Sequence, residues 1–211
     1  MFPRLYAICD ADVCAQAGWT LPDYAAAIMD GGVTLLQLRA KHAASREFLV
    51  ATEAVMARAL PHAATVVVND RADIAQLAGA SGVHVGQDDL AAADVRRVIG
   101  GQAVLGLSTH STAQLEAAVR EPVTYVAIGP VFGTTTKDTG YDAVGLDLVR
   151  QACAIAAPAG LPVVAIGGIT LARASNVIVA GAASVAVITD LLVDGNPAVR
   201  ARAFLDRLSR V

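Results

Sequence analysis

Cysteine is scarce in this sequence. Cys9, Cys14 and Cys153 are all there is in 211 residues, too few for a disulfide framework, and Cys9 and Cys14 lack the second pair or nearby histidine of a structural metal site. Cys9 ends an apolar run and Cys153 falls on the apolar side of a helical pattern, so both are expected as small core residues. Long apolar runs are missing too: nothing approaches the roughly 20 residues of a membrane span. Met1-Phe-Pro-Arg4 leads directly into a strand-like run and lacks the basic, apolar and small-residue regions of a signal peptide. A cytoplasmic location without membrane contact is the expectation. An excess of positive charge is absent as well. The formal net charge of -3 gives no electrostatic reason to expect nucleic acid, and the arginines near the C-terminus read as the solvated face of a last helix.

What is abundant is small and apolar. Hydrophobic residues make up 55% of the chain and charged ones 17%, with alanine and valine prominent, which suits a buried parallel sheet wrapped by alanine-lined helices. Eight short apolar runs recur: 5–9, 34–39, 65–69, 82–85, 103–108, 125–128, 162–166 and 184–189. Several are apolar at every position, as in strands covered on both faces.

Helix signals fill the intervals. Thr20 precedes Leu21-Pro22-Asp23 as a cap with proline in the first turn, and Gly31-Gly32 closes that segment. Ser45 opens a helix whose Phe48, Leu49, Thr52, Val55, Met56 and Leu60 form one stripe. Asp70 or Arg71 starts the third helix, Asp89 precedes the fourth with Val95 and Val98 on one side, and Ser111 opens the fifth. The sixth runs from about Leu146 to Ala156, the seventh follows Thr170, and Asn196-Pro197 begins the eighth. Strand-then-helix units at a repeat of roughly 25 residues, without a linker or a shift in composition, predict a single-domain (β/α)8 TIM barrel over residues 1–211. Such barrels carry their sites at the carboxyl ends of the strands, so function is read there.

The second run ends Gln37-Leu38-Arg39-Ala40-Lys41, and alternation sends Gln37, Arg39 and Lys41 the same way. Two cations and an amide suit an anionic ligand; the bland alternative pairs Arg39 with a barrel carboxylate and leaves Lys41 solvated. Asn69-Asp70 and the segment from His84 to Asp89 bring carboxylates of adjacent strands to one rim. Mg²⁺ takes oxygen ligands and usually only one or two protein carboxylates, although Asp70 and Asp89 also stand where helix caps belong. His84 lies inside a strand, as a bonded core histidine or a substrate contact. Ser108 ends the fifth strand as a binding donor at best, with no His or Asp arrangement in the local sequence to suggest an activated nucleophile. The stretch Gly129 to Gly140 follows the sixth run and reads as a loop rich in donors, with Thr134, Thr136 and Lys137. Gly167-Gly168 and Val187-Ile188-Thr189-Asp190 end the last two strands, where such barrels hold phosphate on backbone N–H groups. The alternative there is tight packing at a helix entry. The rim thus offers two phosphate places, which suits two anionic substrates or one with two phosphates.

In this order and spacing, Gln37-x-Arg39-x-Lys41, Asn69-Asp70, His84-Val-Gly-Gln-x-Asp89, Gly129-Pro-x-Phe-x-Thr134-x-Thr136-Lys137 and Ile166-Gly-Gly-Ile169 closely resemble the thiamine phosphate synthase family across essentially the whole barrel. That family joins a pyrimidine methyl diphosphate to a thiazole ethyl phosphate with Mg²⁺, releasing diphosphate. The resemblance implies that Asp70 and Asp89 hold Mg²⁺ and that Arg39, Lys41, Asn69 and Lys137 surround the diphosphate. Gln37 and Ser108 would lie against the pyrimidine, with His84 beside them. Thr134, Thr136, Gly168 and the Ile188-Thr189 backbone would receive the thiazole phosphate. Arg39, Lys41, Ser108 and Lys137 are the implied catalytic set, acting on a pyrimidine carbocation that needs no protein nucleophile. Gly133 stands where the family often has proline and Thr189 where it often has serine. The alternatives are an aminothiazole tautomerase on the same scaffold and a non-catalytic thiamine phosphate sensor. The resemblance leaves open whether the chain forms a homo-oligomer.

Overall fold

The computed structural model describes residues 2–133 and 143–211. Eight parallel strands close into a barrel in sequence order: β1 (Leu5–Asp10), β2 (Leu35–Arg39), β3 (Thr65–Asn69), β4 (Gly82–Val85), β5 (Val104–Thr109), β6 (Tyr125–Ile128), β7 (Val163–Ile166) and β8 (Ser184–Val187). β1 pairs with β8 through Leu5↔Val185 to Ala7↔Val187, which removes both sheet edges. The helices among the described residues are α1 (Ala11–Gln16), α2 (Leu21–Asp30), α3 (Ser45–Ala59), α4 (Ala72–Leu77), α5 (Ala92–Ile99), α6 (Thr112–Ala118), α7 (Gly145–Ala156), α8 (Leu171–Val179) and α9 (Pro197–Leu208). None is long and apolar enough to cross a membrane.

Alternation along each strand makes two apolar layers. Outward residues such as Ala7, Leu36, Leu38, Val66, Val68, Val83, Leu105 and Val126 pack under the helices. Inward residues Tyr6, Ile8, Leu35, Val67, Tyr125, Ala127, Val164 and Ala186 fill the barrel. Several strands therefore read as continuous apolar runs, since both faces are dry. Toward the mouth the inward positions turn polar: Asp10, Gln37, Asn69 and His84 are all buried.

The expected caps are largely present. Thr20 accepts from Asp23 N, Ser111 from Gln114 N and Asn196 from Val199 N. Two apolar assignments fail. Leu60 is 84% exposed because α3 stops at Ala59 and the chain tightens into a 3-10 turn over Leu60–His62, rotating Leu60 off the stripe. Val98 is 44% exposed while Val95 is fully buried; α5 sits on the barrel through Ala92 and Val95. The short helix α1 is an addition to the expected set. Asp10, at the end of β1, caps it by accepting from Val13 N at 3.2 Å.

Candidate active site

The β2–β4 side of the mouth is built from charged side chains. Gln37, Arg39 and Lys41 do face the same way, into a cavity of about 290 Å³ shared with Asn69, Asp70, His84, Asp88, Asp89 and Ser108. Arg39 is ion-paired to Asp10. This is the barrel carboxylate the bland reading required, yet the guanidinium still lines the cavity. Lys41 is half-exposed and paired to Asp70, so it too is held rather than free.

Neither Asp70 nor Asp89 caps a helix. The caps of α4 and α5 are Arg71 and Ala91, without side-chain bonds. Asp70 lies in a left-handed turn at φ +61, a conformation that costs a non-glycine residue about 1–3 kcal/mol. Asp89 turns back to accept from Gly86 N at 2.7 Å. The two carboxyls adjoin. Burial pushes Asp70 above its ordinary range against the pull of Lys41, and its neighbour Asp89 raises it further. Burial also opposes charge on Asp89, but the bonds from Asp70 and the Gly86 N–H, with the charge of Lys41, outweigh it and bring Asp89 down. A hard dication fits such an all-oxygen donor set. Among the described residues no cluster of three or more His, Cys, Asp or Glu competes for a metal.

The sequence offers Ser108 no partner, and the fold supplies one. His84 Nε2 lies 2.8 Å from Ser108 Oγ, and His84 Nδ1 lies 2.7 Å from the Tyr125 hydroxyl. Register brings them together, because His84 on β4 stands opposite Gly106 on β5, two residues before Ser108. The third member is a buried phenol, not a carboxylate. Burial raises the Tyr125 hydroxyl well above its ordinary range, so the group at His84 Nδ1 is a neutral phenol where a nucleophilic triad has a carboxylate.

The β6–β8 side is built from backbone. A second cavity, about 260 Å³, is lined by Gly129, Pro130, Ile166 to Thr170 and Ala186 to Asp190. Gly167 and Gly168 have φ of +103 and +59. The loop after β6 packs onto them: Val131 N donates to Ile166 O at 2.8 Å and Phe132 N to Gly167 O at 3.0 Å. A Cβ at 168 would lie 2.6 Å from Gly133 O, and one at 167 would lie 2.5 Å from Pro130 Cα. Tight packing and an open backbone are thus the same feature. The N–H groups of Gly168 and Ile169 meet no acceptor among the described residues. Ile188 and Thr189 border the same cavity. Thr134, Thr136 and Lys137 lie outside the described residues.

The family pattern described as thiamine monophosphate synthase matches residues 5–191, from the start of β1 to beyond β8. The chain belongs to that family. It is 48% identical over 208 residues to the thiamine-phosphate synthase of Koribacter versatilis, covering 98% of this chain and 96% of the relative. It is 43% identical over 197 residues to that of Mycobacterium sp. strain KMS, covering 89% and 86%. In three dimensions it is similar to the thiamine phosphate pyrophosphorylase from Pyrococcus furiosus, with a TM-score of 0.86 and 25% identity over 98% of this chain and 96% of that one. The barrel is therefore the scaffold of a thiamine-biosynthetic transferase of this family.

Against that family background, four residues at the mouth are additions to those the sequence suggests. Asp10 aims Arg39. His110, one residue past β5, bonds Gly129 O through Nδ1 at 2.6 Å and lines both cavities. Arg173 donates to Gly168 O at 3.0 Å and lies 4.7 Å over the Phe132 ring, joining the loops after β6 and β7. Asp190 accepts from Leu171 N at the start of α8 and from Arg200 at 2.8 Å. Only Asp190 was signalled by position, at the end of a strand. The others depend on contacts within and between neighbouring strands and loops.

Proposed function

We propose that the chain condenses a pyrimidine methyl diphosphate with a thiazole ethyl phosphate, releasing diphosphate and giving thiamine phosphate. The division of the mouth carries this reading: a cavity of cations and paired carboxylates adjoins one of open backbone N–H groups, and Ser108, His110, Ile166 and Ala186 belong to both. Arg39, Lys41 and Asn69 bind the diphosphate, with Lys137 joining them from the loop after β6. Gly168, Ile188 and Thr189, with Thr134 and Thr136, take the phosphate of the second substrate.

In the reaction, the C–O bond to diphosphate breaks and its electron pair leaves with the diphosphate. The thiazole nitrogen then contributes its lone pair to the new C–N bond. No proton need move, so the site requires neither a general base nor a protein nucleophile, which agrees with a serine whose histidine is backed by a phenol and not by a carboxylate. What the chain supplies is charge placed in advance where the leaving group develops its own. Arg39 is pre-aimed by Asp10, and Ile8, Ala127, Val164 and Ile166 line the cavity and keep water from the reacting carbon. Asp70 and Asp89 would hold Mg²⁺, which supplies further neutralisation of the departing diphosphate. Departure precedes attack in this reading, through a pyrimidine carbocation, because the stabilising groups cluster on the leaving side.

The test is to follow diphosphate release by the purified chain with both substrates, with and without Mg²⁺. Release that needs both substrates and the metal is expected. No release in either condition would sink the assignment, and normal turnover by a Lys137→Ala variant would remove Lys137 from its role.

A further inference from the structure

Four hydrogen bonds run in an unbroken line beneath the site. Gln37 Nε2 donates to the Tyr6 hydroxyl at 3.0 Å, the Tyr6 and Tyr125 hydroxyls are 3.0 Å apart, Tyr125 meets His84 Nδ1 at 2.7 Å, and His84 Nε2 meets Ser108 Oγ at 2.8 Å. The line crosses the barrel interior from β2 to β5 and joins two residues that border the same cavity. Tyr6 and Tyr125 are both fully buried. Their rings meet edge to face at 5.9 Å, and the His84 ring stacks on Tyr125 at 5.5 Å. The barrel leaves room for this. A Cβ at Gly106 would lie 2.1 Å from Tyr125 Cζ and 2.5 Å from His84 Nδ1.

The line has a direction. With Gln37 Nε2 donating to it, Tyr6 has its own proton left for the Tyr125 oxygen, its other hydroxyl partner among the described residues. Tyr125 then passes its proton to His84 Nδ1. That leaves the imidazole neutral, with its hydrogen on Nε2, donating to Ser108 Oγ. The Ser108 proton is thereby turned away from His84. Burial raises both phenols above their ordinary range, so each keeps the single proton this scheme needs.

We propose that Tyr6, Tyr125 and His84 are positioning residues that fix the polarity of this line, so that Ser108 faces the cavity as an obligate hydrogen-bond donor toward a ring acceptor of the substrate and not as a nucleophile. The inference rests on the proposed reading of the cavity for the ring substrate, and it is tested apart from it. The opposite polarity would need the Gln37 amide turned over from the orientation in which Nε2 faces Tyr6; each proton would then run the other way, His84 would carry its hydrogen on Nδ1, and Ser108 would donate to His84.

Nitrogen-15 spectra of the full chain labelled at histidine discriminate the two without substrate, with His84 assigned by loss of its signals in His84→Gln. A neutral ring protonated at Nε2 is expected; protonation at Nδ1, or a charged ring at neutral pH, overturns the proposal. Kinetics supply a second arm. Tyr125→Phe breaks the line, and kcat/KM for the pyrimidine diphosphate should fall by about ten- to a hundredfold, with KM for the thiazole phosphate unchanged. Tyr6→Phe should give a smaller loss of the same kind. Equal losses toward both substrates would mean general damage and count against the proposal. If Tyr125→Phe does not fold, Tyr6→Phe and the wild-type spectrum still decide. A wild-type chain that releases no diphosphate defeats the functional reading, whereas the wrong tautomer in an active chain defeats only the relay.

Discussion

The two sides of the barrel mouth are built from opposite materials. From β2 to β4 the equipment is side chains on strand ends: Arg39, Lys41, Asn69, Asp70 and Asp89. Around β7 and β8 it is backbone, opened by Gly167 and Gly168 and covered by the loop after β6. Side chains can be truncated without disturbing the strands beneath them. On the backbone side no truncation removes the N–H groups, and the glycines that open them can be altered only by adding atoms, which the packing resists. Function and stability should therefore separate on one side and move together on the other.

The largest expected effect is on the side-chain half. Removing Mg²⁺ with a chelator should abolish diphosphate release and adding it back should restore it, while Asp70→Asn lowers kcat by about 10²–10³; its thermal midpoint should stay near wild type. A fall in activity that tracked unfolding would collapse the contrast. Next comes Gly168→Ala on the backbone half. With φ of +59 and Gly133 O at 2.6 Å from the added carbon, it should raise KM for the thiazole phosphate at least about tenfold and destabilise the fold by about 1–3 kcal/mol, read by urea unfolding. An unchanged midpoint would remove the difference between the halves.

A finer probe is Asp10→Asn. Asparagine keeps an acceptor for the α1 cap at Val13 N but gives up the charge that aims Arg39. Turnover should fall about tenfold with little loss of stability, so the two roles of Asp10 come apart. The smallest effect is expected at Arg173, which is exposed where it bridges Phe132 and Gly168. Arg173→Ala should weaken binding of the thiazole phosphate by about twofold to fivefold, as befits a surface cation over a ring. A loss as large as that of Gly168→Ala would mean that this side, too, depends on a side-chain charge.

Much of this was legible in the residues. The strands lie where the apolar runs put them, within one or two residues, because burial on both faces leaves a continuous signal. Thr20, Ser111 and Asn196 cap as expected since capping is decided within three residues of chain. What escaped was decided across the barrel. Ser108 has its histidine on the neighbouring strand, and Arg39 has its carboxylate on β1. Leu60 and Val98 misled for a local reason: each continues a helical stripe in sequence, but one falls beyond the last α turn and the other at the rim of the packed face. Asp70 and Asp89 stood at capping positions and do not cap, since the turns after β3 and β4 direct both carboxylates to the rim instead.

The four residues common to both cavities, Ser108, His110, Ile166 and Ala186, make the mouth one trough with two ends. A substrate lodged at either end can leave as a single loose body. In the proposed reaction the joined product would reach both, its pyrimidine ring at one end and its phosphate at the other, so that each contact keeps the other at high local concentration and departure requires both to open together. Excess product should therefore compete against both substrates at once, and the step that empties the trough becomes a natural place for turnover to be limited.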